Sequence, residues 1–411
     1  MHLKKVVIFL TGQTITAFGT YLVQYAIMWH LTLSTKSGVV LALAAIFGFL
    51  PQAIVSVFAG VWADRVNRKL MIIVSDSTIA LATLGLALLM LSGVKDLWLI
   101  FLVMAVRSVG SGVQMPAVSA LVPQIVPPEK LMRVNGINSS IQSALGLLAP
   151  VAAAAVYANV SLEAILFIDV ITAAIGLSLF AFVPVPTLAR AAQKDKPSYF
   201  TDLKEGISYI LGNSLVRWVM AIFAIVFLLI VAPSNLSPLM LVRNFGTEVW
   251  MLTVLELAFG VGMLIGGILI SVYASKVDRL GAIVVTSILF GLLAIGLGFT
   301  TNLIVYYSLF LVTGLIVPVF TTSSFTLLQE TVEPERQGRV FGFIGIVMST
   351  AMPLGMALLG PLADFYPVEL LLIITGAITV LIAIVAILLP SGKRAIASAH
   401  ASTGVKADKA I

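Results

Sequence analysis

The chain has 411 residues, of which 60% are hydrophobic and only 10% charged, whereas a soluble domain averages about 45–50% and about 25%. Its roughly 247 apolar residues match twelve membrane spans of about 20 residues each, which excludes a soluble enzyme with a single anchor. Zero cysteines exclude disulfides and thiolate chemistry, three histidines are too few and scattered for a metal cluster, and the net charge of +6 lies between apolar runs instead of on one nucleic-acid-binding face.

Met1 to Lys5 followed by an apolar run looks like a signal peptide, but the run continues to about Trp29 without a small-residue cleavage site, so it reads as an uncleaved first helix. Long apolar runs predict spans at 6–31, 38–61, 70–92, 97–122, 134–158 and 162–184, then at 215–241, 249–273, 281–300, 303–328, 339–360 and 368–390. The polar stretch from Pro186 to Asn213 separates six spans from six. The expected organisation is a bundle over 1–185, a cytoplasmic linker over 186–213, a second bundle over 214–390 and a polar, disordered cytoplasmic tail over 391–411. Within the linker, Phe200, Leu203, Ile207 and Ile210 repeat at the spacing of an amphipathic helix suited to the membrane surface.

With both termini cytoplasmic, 20 of the 24 Lys and Arg residues fall on that side, only Lys36, Lys95 and Arg243 on the other, and Arg107 inside a span. This asymmetry predicts a multi-pass protein of the cytoplasmic membrane with both termini inside. All five tryptophans (Trp29, Trp62, Trp98, Trp218, Trp250) sit at span ends, where interfacial anchors belong.

The chain is internally duplicated. VPPEKLMRVNG (Val126 to Gly136) aligns with VEPERQGRVFG (Val332 to Gly342) at an offset of 206 with six identities, and GVWADRVNRK (Gly60 to Lys69) has a weaker echo in SVYASKVDRL (Ser271 to Leu280). A parallel repeat of six helices predicts an all-α membrane protein of two pseudo-symmetric six-helix bundles, with binding between them near the midplane, which is a transporter's architecture.

Ionisable residues inside spans are expensive and point to function. Arg107 lies roughly 15 Å into the fourth span, among Ser108, Gly110, Ser111 and Gly112. It reads as a cleft cation that pairs with an acid or polarises a substrate group, against a structural arginine satisfied by carbonyls and hydroxyls. Glu256, roughly 12 Å into the eighth span, is the leading proton-coupling candidate, with Asp169 in the sixth span following the same logic. Asp76 is within reach of Arg68, Lys69 or Arg133 and reads first as half of a structural ion pair. Gly60, Asp64, Arg65 and Arg68 form an inner-loop group that fits a cytoplasmic gate, in which Gly60 would let two helices approach. Amides at Gln13, Gln24, Asn138, Gln142 and Asn235 are candidates for substrate binding or for interhelical bonding. Pro150 and Pro353 are expected to bend their helices. Gly262, Gly266 and Gly267 would form a small-residue packing face, and His30 a solvated outer position.

These residues resemble the major facilitator superfamily: Gly60, Asp64, Arg65 and Arg68 stand in the places of its loop motif, and Arg107 at its fourth-helix arginine. More narrowly, GFLPQAIVSVFAGVWADRVNRK, RSVGSGVQMPA, the IDV around Asp169, ELAFGVGMLIGG around Glu256 and GRVFGFIGIVMSTAMPLG are similar to the macrolide-efflux branch of drug:proton antiporters. The resemblance implies a secondary active transporter, not an enzyme. It would export small amphipathic organic compounds in exchange for protons by alternating access, as a monomer in contact with membrane lipid, with the proton gradient as its energy source and no cofactor. Two departures stand out. The fifth helix reads GLLAPVAAAA, with Ala149 before Pro150 where the antiporter motif has a Gly-Pro pair, and Ser275 stands opposite Asp64 in the second-half loop. A facilitative or proton-coupled transporter of a lipid or metabolite, or a non-transporting receptor, are the alternatives. No GxxxxGK[ST] phosphate loop is present for an ATP-driven pump.

Overall fold

The long apolar runs become helices throughout. The computed structural model describes residues 2–185, 199–273 and 277–388, and among these there are fourteen α-helices, one π-helical turn and no strand. Compactness divides the chain into two units, Met1–Ala192 with Gly246–Leu257, and Gln193–Phe245 with Ala258–Ile411.

The first unit contains α1 (His2–Thr35), α2 (Gly38–Arg65), α3 (Arg68–Leu91), α4 (Leu97–Ile125), α5 (Pro128–Tyr157) and α6 (Leu162–Ala181). Polar residues set where two of these helices begin. Ser37 caps α2 by accepting from the Val40 N–H, and Asn67 caps α3 by accepting from Lys69 and Leu70, satisfying amides that lack intrahelical partners. The helix α1 packs on α5 and α6, α2 on α4, and α3 on both α4 and α6. Small residues permit the closest of these approaches: a Cβ on Gly19 would collide with Thr172, and one on Gly176 with Thr16, so α1 and α6 meet almost backbone to backbone.

The second unit contains α7 (Tyr199–Gly212), α8 (Ser214–Leu229), a π-helical turn (Ala232–Leu236), α9 (Ser237–Asn244), most of α10 (Val249–Tyr273), α11 (Arg279–Phe299), α12 (Leu303–Thr331), α13 (Pro334–Phe365) and α14 (Val368–Leu388). Asn213, Asp278 and Asn302 cap α8, α11 and α12. The core is aromatic: Phe223 packs against Phe227, Phe320 and Phe325 with ring centres 4.5, 5.6 and 5.8 Å apart, distances at which aromatic pairs add to area burial. Gly262 and Gly266 of α10 meet the Leu311 and Leu315 carbonyls of α12. The expected packing face is there at these two positions, whereas a Cβ on Gly267 would meet nothing within 4 Å.

Twelve helices are long and apolar enough to cross a membrane, running from Lys5–Thr35 to Val368–Leu388, and each overlaps a predicted span. The seventh, Ser214–Asn244, is built from α8, the π-helical turn and α9. The linker's amphipathic pattern falls on α7. Residues 186–198, the 391–411 tail and Ser275 lie outside the described residues.

The tryptophans divide. Trp62, Trp98 and Trp250 are exposed as interfacial anchors should be, but Trp29 and Trp218 are buried, and the Trp218 indole donates to the Ala386 carbonyl at 2.9 Å. Those two rings face protein because helix rotation, which position along a span does not reveal, turns them inward. His30 is likewise not simply solvated: its Nδ1 is 3.1 Å from the Tyr157 hydroxyl.

Candidate functional site

The first unit holds a buried ion pair. Arg107 of α4 is 5% exposed and Asp169 of α6 is 0% exposed, and Arg107 Nη1 donates directly to Asp169 Oδ2. Thr83 of α3 links the two, accepting from Arg107 Nη1 and lying 3.2 Å from Asp169 Oδ2. From α1, the Thr20 hydroxyl reaches the other carboxylate oxygen at 3.4 Å and the Thr20 carbonyl accepts from Arg107 Nη2 at 3.4 Å. Four helices therefore converge on one charge pair, each contributing a polar group.

The small residues beside Arg107 make this convergence possible. A Cβ on Gly110 would be 2.6 Å from the Ile79 side chain of α3, and one on Gly112 would be 2.9 Å from the Gln52 carbonyl of α2. Ser108 Oγ accepts from the Gln52 amide at 2.9 Å, next to Pro51, which interrupts the α2 hydrogen-bond ladder. Desolvating two charges is repaid only when geometry and further hydrogen bonds are good, and removing one partner typically destabilises by about 3–5 kcal/mol. Such a pair is a weak source of stability.

A second polar group lies on the same helices. Gln114 of α4 donates to Gln13 Oε1 at 2.9 Å, and the Gln13 side chain lies close to the carboxyl of Asp76 on α3. Asp76 is 4% exposed and has no cationic partner among the described residues. The expected ion pair is not formed, because the cations nearby in sequence are drawn to helix ends: Arg68 donates to the Ala63 and Ala120 carbonyls, and Lys69 Nζ to those of Ala181 and Val183. Gln13, Thr16, Thr20 and Gln24 follow one another at intervals of three, four and four residues along α1, so these side chains share one face.

The other candidates are more dispersed. Glu256 is half-buried on α10 with no ion-pair partner among the described residues. Gln142 is exposed and accepts from the Tyr21 hydroxyl at 3.3 Å, while Asn138 and Gln24 are half-buried. Asn235 lies inside the π-helical turn and donates to Ser234 Oγ at 2.9 Å. Pro150 and Pro353 are buried within the unbroken helices α5 and α13. Gly60 is exposed, and a Cβ there would meet no described atom within 4 Å, so no close approach at Gly60 is seen among the described residues. Asp64 and Arg65 are on the last turn of α2, and their side chains lie outside the described residues.

Three contributors were missed in the sequence: Thr20, Thr83 and Gln114. Threonine is common in membrane helices, where its hydroxyl bonds its own backbone, as Thr83 also does to Ile79 at 2.8 Å. Only the polar stripe along α1 could have indicated Thr20. The π-helical turn did leave a signal, two prolines at 233 and 238 around Asn235.

Twelve apolar helices with a desolvated charge pair in one helical core define a multi-pass membrane transporter. The chain belongs to the major facilitator superfamily, whose model matches residues 9–355 and 250–407. It is 31% identical over 377 residues to macrolide efflux protein A of Streptococcus pyogenes, covering 91% of this chain and 93% of that protein. It is 30% identical over 323 residues to macrolide efflux protein A of Enterococcus faecalis, covering 78% and 99%. Among solved structures, it is similar in fold to a POT family transporter in complex with a thioalcohol-conjugated peptide (TM-score 0.72, 13% identity, 94% and 96% covered). It is also similar to a bacterial homologue of the human lysosomal transporter Spinster (TM-score 0.65, 14% identity, 98% and 97% covered).

Proposed function

We propose that this transporter exports amphipathic organic compounds of macrolide-like character in exchange for protons, by alternating access. The observation that carries the coupling is the Arg107–Asp169 pair. A buried carboxylate neutralised by one guanidinium becomes a proton acceptor when that guanidinium turns away, so a rearrangement of α4 against α6 and the uptake of a proton become one event. Glu256, an acid without an ionic partner among the described residues, is a second proton carrier. The likeness to macrolide efflux proteins over most of the chain supports the substrate class.

In this reading Gln13, Gln24, Asn138, Gln142 and Asn235 supply hydrogen bonds to the organic substrate, while Asp64, Arg65 and Arg68, with Gly60 and Asp76, serve the cytoplasmic gate. The proton gradient supplies the energy with no cofactor, the protein works as a monomer, and both termini face the cytoplasm in keeping with the distribution of Lys and Arg. The test is pH-gradient-driven macrolide transport in everted vesicles. Glu256→Gln is expected to abolish it, and undiminished transport would remove Glu256 from the mechanism. Equal macrolide susceptibility of an efflux-deficient host with and without the wild-type protein would overturn the export reading itself.

A further inference from the structure

A cavity of about 520 Å³ lies within the second unit, between α7 and the start of α13, lined by Ser208, Tyr209, Asn213, Arg336 and Arg339 together with glycines. It is much larger than a site for a single water or small ion, a water's share of liquid volume being about 30 Å³. Its polar lining is rich in donors. Arg336 and Arg339 are three residues apart and so share one face of α13, and the Arg336 guanidinium is 4.8 Å from the centre of the Tyr209 ring. The nearest described carboxylate to Arg336, Glu333, is 3.3 Å from Nε and largely exposed. Asn213 uses its Oδ1 to cap α8, accepting from Leu215 and Val216 at 3.1 Å each, which leaves its N–H₂ group as the free end. Ser208 adds a hydroxyl. Two guanidinium groups on one helix face, with amide and hydroxyl donors beside them, are a recognition set for phosphate.

The surroundings indicate where that phosphate comes from. Asn213 directly precedes the span that begins at Ser214, and Arg336 opens the span ending at Phe365, so the cavity lies where spans begin, at headgroup depth. On α7, Ile207 and Leu211 are 43% and 56% exposed and four residues apart, forming an apolar stripe beside the cavity-lining Ser208 and Gly212. A cationic cavity bordered by exposed apolar side chains matches a phosphate joined to acyl chains better than a free ion. We propose that this cavity binds the phosphate headgroup of an anionic phospholipid, with its acyl chains along Ile207 and Leu211, and that α7 is thereby fastened to the membrane surface.

The test uses the full-length protein in nanodiscs of phosphatidylcholine with and without phosphatidylglycerol, counting retained phosphatidylglycerol by native mass spectrometry. The wild type is expected to retain one more molecule than R336Q/R339Q, whose apparent affinity for it falls at least tenfold. Ser208→Trp, which fills the cavity mouth and leaves both arginines in place, is expected to cause the same loss, and it decides the matter if the double variant does not fold. Equal retention by the wild type and the folded variants would overturn the proposal. So would displacement of the lipid by inorganic phosphate at equal concentration, which would make the cavity a free-anion site.

Discussion

The two units place different chemistry at corresponding positions. At the repeat offset of 206, Thr313 and Thr375 stand where the first unit has Arg107 and Asp169, and at the loop offset of 211, Ser287 stands for Asp76. All three hydroxyl residues are buried, and each turns back on its own helix. Thr313 bonds the Leu309 carbonyl at 2.9 Å, Thr375 that of Leu371 at 2.7 Å, and Ser287 that of Ile283 at 2.6 Å. The second unit thus closes its core around aromatic rings with self-satisfied hydroxyls, whereas the first closes around a charge pair that needs four helices to satisfy it. At these three positions the second half of this chain therefore packs its core without a buried charge.

The sharpest way to break this comparison is to leave one charge alone. Arg107→Met strands Asp169 in the core and is expected to destabilise the protein by about 3–5 kcal/mol, read as a lowered midpoint of thermal unfolding in detergent. Arg107→Thr with Asp169→Thr, which installs the second unit's chemistry in the first, is expected to recover most of that loss while proton-driven transport stays abolished. A double variant as unstable as the single one would show the pair to be structural.

Next come the glycine seams. Gly262→Leu pushes a side chain into the Leu311 carbonyl, a backbone atom that cannot swing aside, and is expected to destabilise by about 1–3 kcal/mol. Gly60→Ala, with nothing described within 4 Å, is expected to stay within about 0.5 kcal/mol. A further contrast lies at the helix ends, where the halves share an acid at Glu163 and Glu369. The first pairs with Lys95 at 2.7 Å and the second accepts from Asn244. Because Lys95 is 64% exposed but Glu163 only 8%, Glu163→Gln is expected to cost about 1–2 kcal/mol, and high salt is expected to reduce the difference from wild type without removing it.

Much of the fold was legible because one rule governs it: an apolar run of about 20 residues spans the membrane. What the sequence concealed was rotation. In a soluble helix the polar face identifies the buried one, but a membrane helix is apolar toward both lipid and protein, so the inward turn of Trp29 and Trp218 leaves little pattern. The same applies to the site. Arg107 and Asp169 each stood out as charges in an apolar run, yet nothing local shows that residues 62 positions apart meet. For Asp76, reach along the chain suggested Arg68, Lys69 or Arg133, whereas carbonyls near the ends of neighbouring helices took up Arg68 and Lys69.

The π-helical turn at Ala232–Leu236 has a consequence beyond its own five residues. Accommodating one additional residue in a helical turn advances everything after it by about 100° around the axis, since an α-helix places 3.6 residues per turn. That change of phase aims α9: it brings the Ser237 carbonyl to the Tyr306 hydroxyl at 3.2 Å and Arg243 to Asp364 at 2.9 Å. The seventh span can thus present one azimuth to its neighbours along α8 and another along α9, without a break in its path across the bilayer.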